Sequence, residues 1–310
     1  ATPHRFPARM RRFRAEIGPV CDYHGMRRRA LRVATNLPGD AMKVLAAILI
    51  CCGLLGACTT SPVATQPDAS IFADARFAPA SQPIRAADVF ALSPEMKAYL
   101  AGGIEGRILA RGRTELLVDA LYKKGELKLD YDSVLTRNAA QAFAARSGNC
   151  LSLVIMTAAF AKELGIPVRY QTVVTDELWG RNGGIDFVID HINLTLGQRI
   201  GGAHWAGPFT EAVTIDFLPP ADLRGQKQHV LSEATVLAMY MNNRAAETLA
   251  QGRLDDAYWF AREAIVQDPG FVRALNTLGV VYRRHGDSAL AERALRAAYA
   301  VITEVVRSGQ

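Results

Sequence analysis

Hydrophobic positions along this chain follow two spacings, and the change between them divides the sequence. Apolar residues recur at helical spacing in three segments, 93–125, 136–145 and 151–164. Apolar and polar residues alternate in 168–174, 187–196 and 213–217, which predicts three strands, and glycines predict a loop at 176–184. Helices followed by several strands predict an α+β domain at residues 93–228, with a helix packed against an antiparallel sheet.

The C-terminal part, residues 232–310, returns to helical spacing and contains a repeat. Small residues recur 34 positions apart, as in Gly252 and Gly286 or Ala257 and Ala291. This period resembles the tetratricopeptide signature and predicts two helical hairpins in an all-α domain. Two such repeats either only cap the preceding domain or form a small peptide-binding surface.

The N-terminal stretch has the pattern of an export signal. Residues 1–43 hold ten Lys/Arg and three acids, and a short uncharged apolar run follows from Val44 to Leu55. Such a run is too short for a membrane-spanning helix, which needs about 20 apolar residues. A basic segment, an apolar segment and small residues before a cleavage site are typical of a secretory signal peptide.

The end of this signal resembles the lipobox of bacterial lipoproteins. Leu-Gly-Ala-Cys, ending at Cys58, implies a leader at residues 1–57 and a cysteine that is diacylated as the new N-terminus. Met42 is a natural start for the signal, so residues 1–41 are expected to be an untranslated extension. Thr59, rather than Asp, implies the outer membrane by resemblance to enterobacterial sorting. An ordinary signal peptide and an uncleaved anchor are the alternatives.

Composition narrows the classes of function for the remaining chain. The net charge of +6 comes from the leader, so the body has no basic excess for nucleic acid. Residues 58–92 are rich in Ala, Pro, Ser and Thr, which predicts a flexible tether. The histidines are scattered and have no ligand spacing, so we expect no metal and no cofactor.

Cysteine usage draws attention to Cys150. Of the five cysteines, three fall in the leader and Cys58 would carry lipid, which leaves Cys150 as one free thiol outside the cytoplasm. The turn Ser147-Gly148-Asn149 places this residue at the start of a helix that ends at Gly165-Ile166-Pro167. The N–H groups and dipole of a helix N-terminus favour a thiolate, the nucleophilic form. A buried, inert cysteine is the alternative.

Two further residues complete a candidate constellation. His191 lies on the second predicted strand and Asp216 on the third, so adjacent antiparallel strands can bring them together. A histidine takes the proton of the cysteine and a carboxylate orients the imidazole. Alternatively, His191 is a core histidine and Asp216 caps a turn, while His204 is a rival base.

The same residues are similar to the transglutaminase-like superfamily, whose core is papain-like. The resemblance is narrower to bacterial lipoproteins that carry such a domain before tetratricopeptide repeats, and it spans about residues 127–305. It rests on these motifs: Tyr131-Asp132, Thr136, Ala142-Phe143, Arg146, Gly148-Asn149-Cys150-Leu151-Ser152, Tyr170-Gln171, Trp179 and His191-Ile192-Asn193. It implies a nucleophile at Cys150, a base at His191 and an orienting acid at Asp216.

The resemblance implies a peptidase, amidase or acyltransferase that acts on peptide or isopeptide amides. The cross-linking enzymes have Gln and Trp beside the nucleophile, where this chain has Asn149 and Leu151. Hydrolysis therefore stays open beside transfer to an amine.

We expect a periplasm-facing, lipid-anchored protein with a peptide or protein substrate, a protein partner for the repeats, and no nucleic acid. Trp179 and Trp205 either wall an acyl-binding cleft or pack surface loops. The alternative function is a non-catalytic peptide-binding scaffold.

Overall fold

The computed structural model describes residues 69–104, 113–122, 127, 129–182, 185–197, 212–217 and 228–308. The leader at residues 1–57, Cys58, His204, Trp205 and the side chain of Trp179 lie outside the described part.

The described elements are a mixture of helices and strands followed by a purely helical end. In chain order the mixed part contains α1 Pro94–Tyr99, α2 Arg113–Tyr122, β1 Asp130–Tyr131, α3 Ala139–Ala145, β2 Ser147–Gly148, α4 Cys150–Glu163, β3 Val168–Asn182, β4 Ile185–Leu196, β5 Val213–Ile215 and β6 Gln228–Leu231. The helical end contains α5 Glu233–Ala250, α6 Leu254–Gln267, α7 Val272–His285 and α8 Ser288–Ser308. A short π-helix, Leu100–Ile104, follows α1.

Helix α4 is the buried centre of the mixed domain. Residues 150–161 are all buried, because the helix is apolar around its whole circumference rather than along one stripe. It packs against α3 on one side and against β4 on another. A helix with no solvent-facing side holds its first residue in a fixed position relative to the sheet.

Four strands form an antiparallel sheet in the order β5-β4-β3-β6. The loop predicted at 176–184 is wrong over most of its length, because β3 continues to Asn182 and Trp179 pairs with Val188. Pairing with β4 outweighs the local glycine content, and an irregularity between Val173 and Leu178 absorbs the change of register. Strand β6, which adds to the β3 edge, was not predicted from the sequence.

The C-terminal helices pack in sequence, α5 on α6, α6 on α7 and α7 on α8. Gly279 lies where α7 packs tightly against α8: a Cβ there would stand 2.9 Å from Leu295 Cγ. Gly286 ends α7 with φ of 95°, a left-handed conformation that favours glycine. No described helix is both long enough and apolar enough to cross a membrane.

Residues 70–81 lie against the C-terminal helices and differ from the flexible tether expected at 58–92. The ring of Phe77 stacks on Tyr258 with centroids 3.9 Å apart and planes 1° apart. The Tyr282 hydroxyl donates to the Ile71 carbonyl at 2.7 Å, and Ser81 donates through both its N–H and its hydroxyl to Asp256. Low local hydrophobicity predicted a free chain here, whereas a few aromatic and charged side chains attach it to helices nearly 200 residues away.

We predict that Phe77→Ala weakens this attachment and lowers the free energy of unfolding by about 3–5 kcal/mol. The reason is that the ring is 6% exposed and fills a space between Tyr258, Tyr282 and His285. Chemical denaturation measures the loss, and Ala75→Ser at an exposed position of the same segment is the control. Equal stability of the Phe77 variant and the wild type would show that packing of the Phe77 ring does not stabilise the fold.

Candidate active site

A tight turn brings the chain into α4. Arg146 ends α3 with φ of 51°, the one positive φ of a non-glycine residue in the described part of the chain. Strands β1 and β2 then pair in parallel, with Tyr131 opposite Gly148. A Cβ at Gly148 would stand 2.6 Å from Ser152 Cβ, so a larger residue would push the first turn of α4 away.

Asn149 caps α4 and also connects it to the preceding loop. Its Oδ1 accepts from the Ser152 N–H at 2.9 Å and from the Ser152 hydroxyl at 2.7 Å. Its Nδ2 donates to the Thr136 hydroxyl at 2.9 Å. The Arg137 N–H donates to Ser152 Oγ at 2.8 Å, so both ends of the cap are bonded to one loop. Cys150 follows at the first helical position and is 6% exposed.

Helix α5, which comes later in the chain, contacts the loop to which this cap is bonded. Asn243 donates to Thr136 Oγ1 at 3.2 Å, and Glu247 accepts from the Thr136 N–H at 2.7 Å. Burial raises the pKa of Glu247, although its hydrogen bonds to Thr136 and its pairing with Arg244 oppose this. The position of Cys150 therefore depends on residues about 100 positions later in the chain.

His191 and Asp216 lie on neighbouring strands and are hydrogen-bonded. His191 Nε2 is 2.8 Å from Asp216 Oδ2, and the imidazole side chain is 1% exposed. Asn193, two residues along β4 on the same face, donates to the same carboxylate oxygen at 2.9 Å. Two donors on one oxygen fix the orientation of the carboxylate, and the carboxylate fixes the ring.

The thiol of Cys150 is the other polar neighbour of the imidazole. Burial lowers the pKa of His191, but the interactions with Asp216 and with Cys150 outweigh it and raise the pKa to about 9. Asp216 engages Nε2, so Nδ1 is the ring nitrogen left to interact with the thiol; it is buried and makes no hydrogen bond in this structure, where the thiol is bonded to Tyr131. With Nε2–H donated to the carboxylate, Nδ1 is the nitrogen that can accept the thiol proton.

Tyr131 also contacts the sulfur. The Cys150 thiol donates to the Tyr131 hydroxyl at 3.9 Å, within the range for sulfur. Burial raises the pKa of Tyr131, and Cys150 raises it further, so the hydroxyl keeps its proton. The residue is 37% exposed, which places the ring at the edge of the site.

The structure brings together the three residues singled out from the sequence, Cys150, His191 and Asp216. The sequence analysis assigned no role to Tyr131 or Asn193, although Asn193 shares the strand face of His191. The period-two pattern was the available signal for Asn193, whereas the proximity of Tyr131 depends on the pairing of two-residue strands. Among the described residues, no cluster of His, Cys, Asp and Glu is suited to a metal ion.

We predict that His191 titrates near pH 9 rather than near its ordinary 6.5, and that Asp216→Asn lowers that value. Because the folded pKa is raised, the interaction stabilises the fold fully below about pH 6.5 and is lost as pH rises through about 9. NMR titration of the imidazole Cε1–H measures the first effect. Urea unfolding should show a stability difference from Asp216→Asn on the order of 3 kcal/mol at pH 6 that shrinks by pH 10.

Glu163→Gln, which removes an exposed carboxylate at the other end of α4, is the control for lost charge. A His191 resonance that titrates near 6.5 in the wild type and is unmoved in Asp216→Asn would contradict the geometry described above.

Comparison with known proteins relates part of this chain to a family. A family model described as the Transglutaminase-like superfamily matches residues 109–243, a range that includes Cys150, His191 and Asp216. Searches of curated proteins and of solved structures found no match. The matched range covers the sheet, the buried helix α4 and the start of α5. Residues 109–243 of this chain are therefore a transglutaminase-like domain of mixed helices and sheet.

Proposed function

We propose that this protein is a cell-envelope thiol enzyme that cleaves peptide or isopeptide amides, passing the acyl group to water or to an amine. The observation that carries the proposal is the buried imidazole of His191, bonded to Asp216 at 2.8 Å and adjacent to Cys150 at a helix N-terminus. A histidine that only fills the core does not require both a carboxylate and a thiol beside it.

The reaction follows from which atoms of this arrangement can give and take a proton. Nδ1 of His191 takes the proton of Cys150, and the sulfur attacks the carbonyl carbon, forming a C–S bond while the π electrons move to oxygen. When the tetrahedral intermediate collapses, the C–N bond breaks and the imidazolium returns its proton to the departing amine. A thioester remains. Water or an amine, deprotonated by His191, then displaces the sulfur and gives the acid or a new amide.

The charge of Asp216 stabilises the imidazolium through each step. Its hydrogen bond holds a proton on Nε2 whether the ring is neutral or charged, which leaves Nδ1 as the nitrogen that exchanges a proton with the sulfur. The additional bond from Asn193 restrains the carboxylate and leaves it acting as an acceptor. Roles of base for His191 and of orienting acid for Asp216 are thus supported by the bonds each atom makes.

We propose that the C-terminal helices are two tetratricopeptide repeats and that they support the enzyme domain. Asn243 and Glu247 of α5 contact Thr136 beside the helix cap, and residues 70–81 occupy a surface of α6, α7 and α8. This surface is filled by the chain itself, which weighs against the scaffold alternative, in which the repeats present it to a partner.

The proposed anchor is the lipid on Cys58. Lipid at that cysteine would hold the enzyme at a membrane, so its peptide substrates would be those that reach the membrane surface.

To test the reaction, the protein is incubated with unfolded casein and a fluorescent primary amine. New N-termini or released ammonia report hydrolysis, and protein-bound fluorescence reports transfer. We predict that Cys150→Ser abolishes the activity and that His191→Gln lowers it about 10²–10⁴-fold. His229→Gln, at an exposed position of β6, should leave it unchanged.

Casein that stays intact and unlabelled with the wild-type protein, or activity that survives in Cys150→Ser, would count against a thiol enzyme of this class. The first result favours the peptide-binding alternative.

The anchor has a separate test. Bacteria that express the chain from Met42 are grown with radioactive palmitate, and we predict that the wild-type protein is labelled and Cys58→Ser is not. Cys52→Ser, six residues earlier, is the matched control and should be labelled. Label that persists in Cys58→Ser would rule out lipid attachment at that cysteine.

A further inference from the structure

Attack by sulfur on a carbonyl places negative charge on the carbonyl oxygen, and this charge needs hydrogen-bond donors. The first N–H groups of α4 supply one set, because they have no acceptor within the helix. A side-chain donor beside the sulfur would complete such a site. This inference rests on the proposed function and identifies that donor.

Asn149, next to the nucleophile in sequence, does not have a free amide. Its Nδ2 donates to Thr136 and its Oδ1 accepts from Ser152 twice. Rotating the amide toward a substrate would break the helix cap, which generally stabilises a protein by about 1 kcal/mol. The residue is therefore engaged in holding α4 in place.

Tyr131 meets the requirements of position and chemistry. Its hydroxyl is 3.9 Å from Cys150 Sγ, so an atom bonded to the carbon that sulfur attacks would lie within reach of it. The backbone on both sides is fixed: Asp130 N–H donates to the Arg146 carbonyl at 2.9 Å, and Asp132 N–H donates to the Gly148 carbonyl at 3.0 Å. The turn that positions the nucleophile thus also positions Tyr131.

The environment of Tyr131 suits a donor that faces an incoming substrate. At 37% exposure Tyr131 is accessible from solvent, whereas His191 is 2% exposed. Burial and the neighbouring thiol raise the pKa of Tyr131, which keeps the O–H proton available. The Asp132 carboxylate beside it is paired with Arg137 at 2.7 Å and with the Val134 N–H at 3.0 Å.

We propose that Tyr131 is a catalytic residue whose hydroxyl donates a hydrogen bond to the carbonyl oxygen of the acyl substrate as Cys150 attacks. Before substrate binds, the hydroxyl is bonded to the sulfur. As the C–S bond forms and the π electrons move to oxygen, the O–H turns to the developing oxyanion. It keeps its proton throughout, so that collapse of the intermediate needs no proton from it.

Two reactions of the same sulfur separate this role from a structural one. Acylation by p-nitrophenyl acetate passes through an oxyanion, whereas alkylation by iodoacetamide displaces iodide and forms none. We predict that Tyr131→Phe lowers the rate of Cys150 acylation about 100-fold, while alkylation changes less than about twofold. Release of nitrophenolate and mass spectrometry of the labelled protein measure the two rates.

Tyr299→Phe removes the same atom from a residue that is 70% exposed on α8, and it should change neither rate. Equal acylation of wild type and Tyr131→Phe would overturn the proposal, as would equal losses in both reactions, which would make Tyr131 a positioning residue for the thiol. Failure of the wild-type protein to acylate at Cys150 would instead overturn the proposed function, and this inference with it.

Discussion

A buried imidazole that is bonded to a carboxylate and lies beside a thiol is the interaction around which the candidate site is built. A buried charge is unfavourable unless it is paired and hydrogen-bonded. His191 is paired with Asp216 at 2.8 Å, and the same interaction raises its pKa to about 9. The three groups come from a helix start, a strand and the residue after a strand, so the site exists only when the helix and the sheet are packed together.

Two structural features keep the sulfur at this position. Helix α4 is buried on all sides and its cap is bonded through Asn149 to Thr136. Helix α5 holds Thr136 in turn through Asn243 and Glu247. Helix α5 and the transglutaminase-like domain therefore hold Cys150 in position together, consistent with a family match that extends to residue 243.

The sequence revealed those parts of the site whose signals are local. The turn before Cys150 and the alternation around His191 were sufficient to place a nucleophile at a helix start and a base on a strand face. Contacts between distant segments carry no such signal: Phe77 on Tyr258, Thr136 on Glu247 and the pairing of Tyr131 with Gly148 all depend on tertiary packing. The strand through Trp179 was missed for the same reason, because its pairing with β4 overrides its glycine content.

The rate of Cys150 alkylation at pH 7 measures whether His191 activates the sulfur. Free thiols are only a few per cent thiolate at this pH, and transfer of the proton to His191 makes more of the reactive form available. We expect Cys150 in the wild type to react with iodoacetamide about tenfold or more faster than a free thiol, and His191→Gln to reduce the rate to the free-thiol value. A wild-type rate equal to that of a free thiol, with no effect of the His191 substitution, would show that His191 does not activate the sulfur.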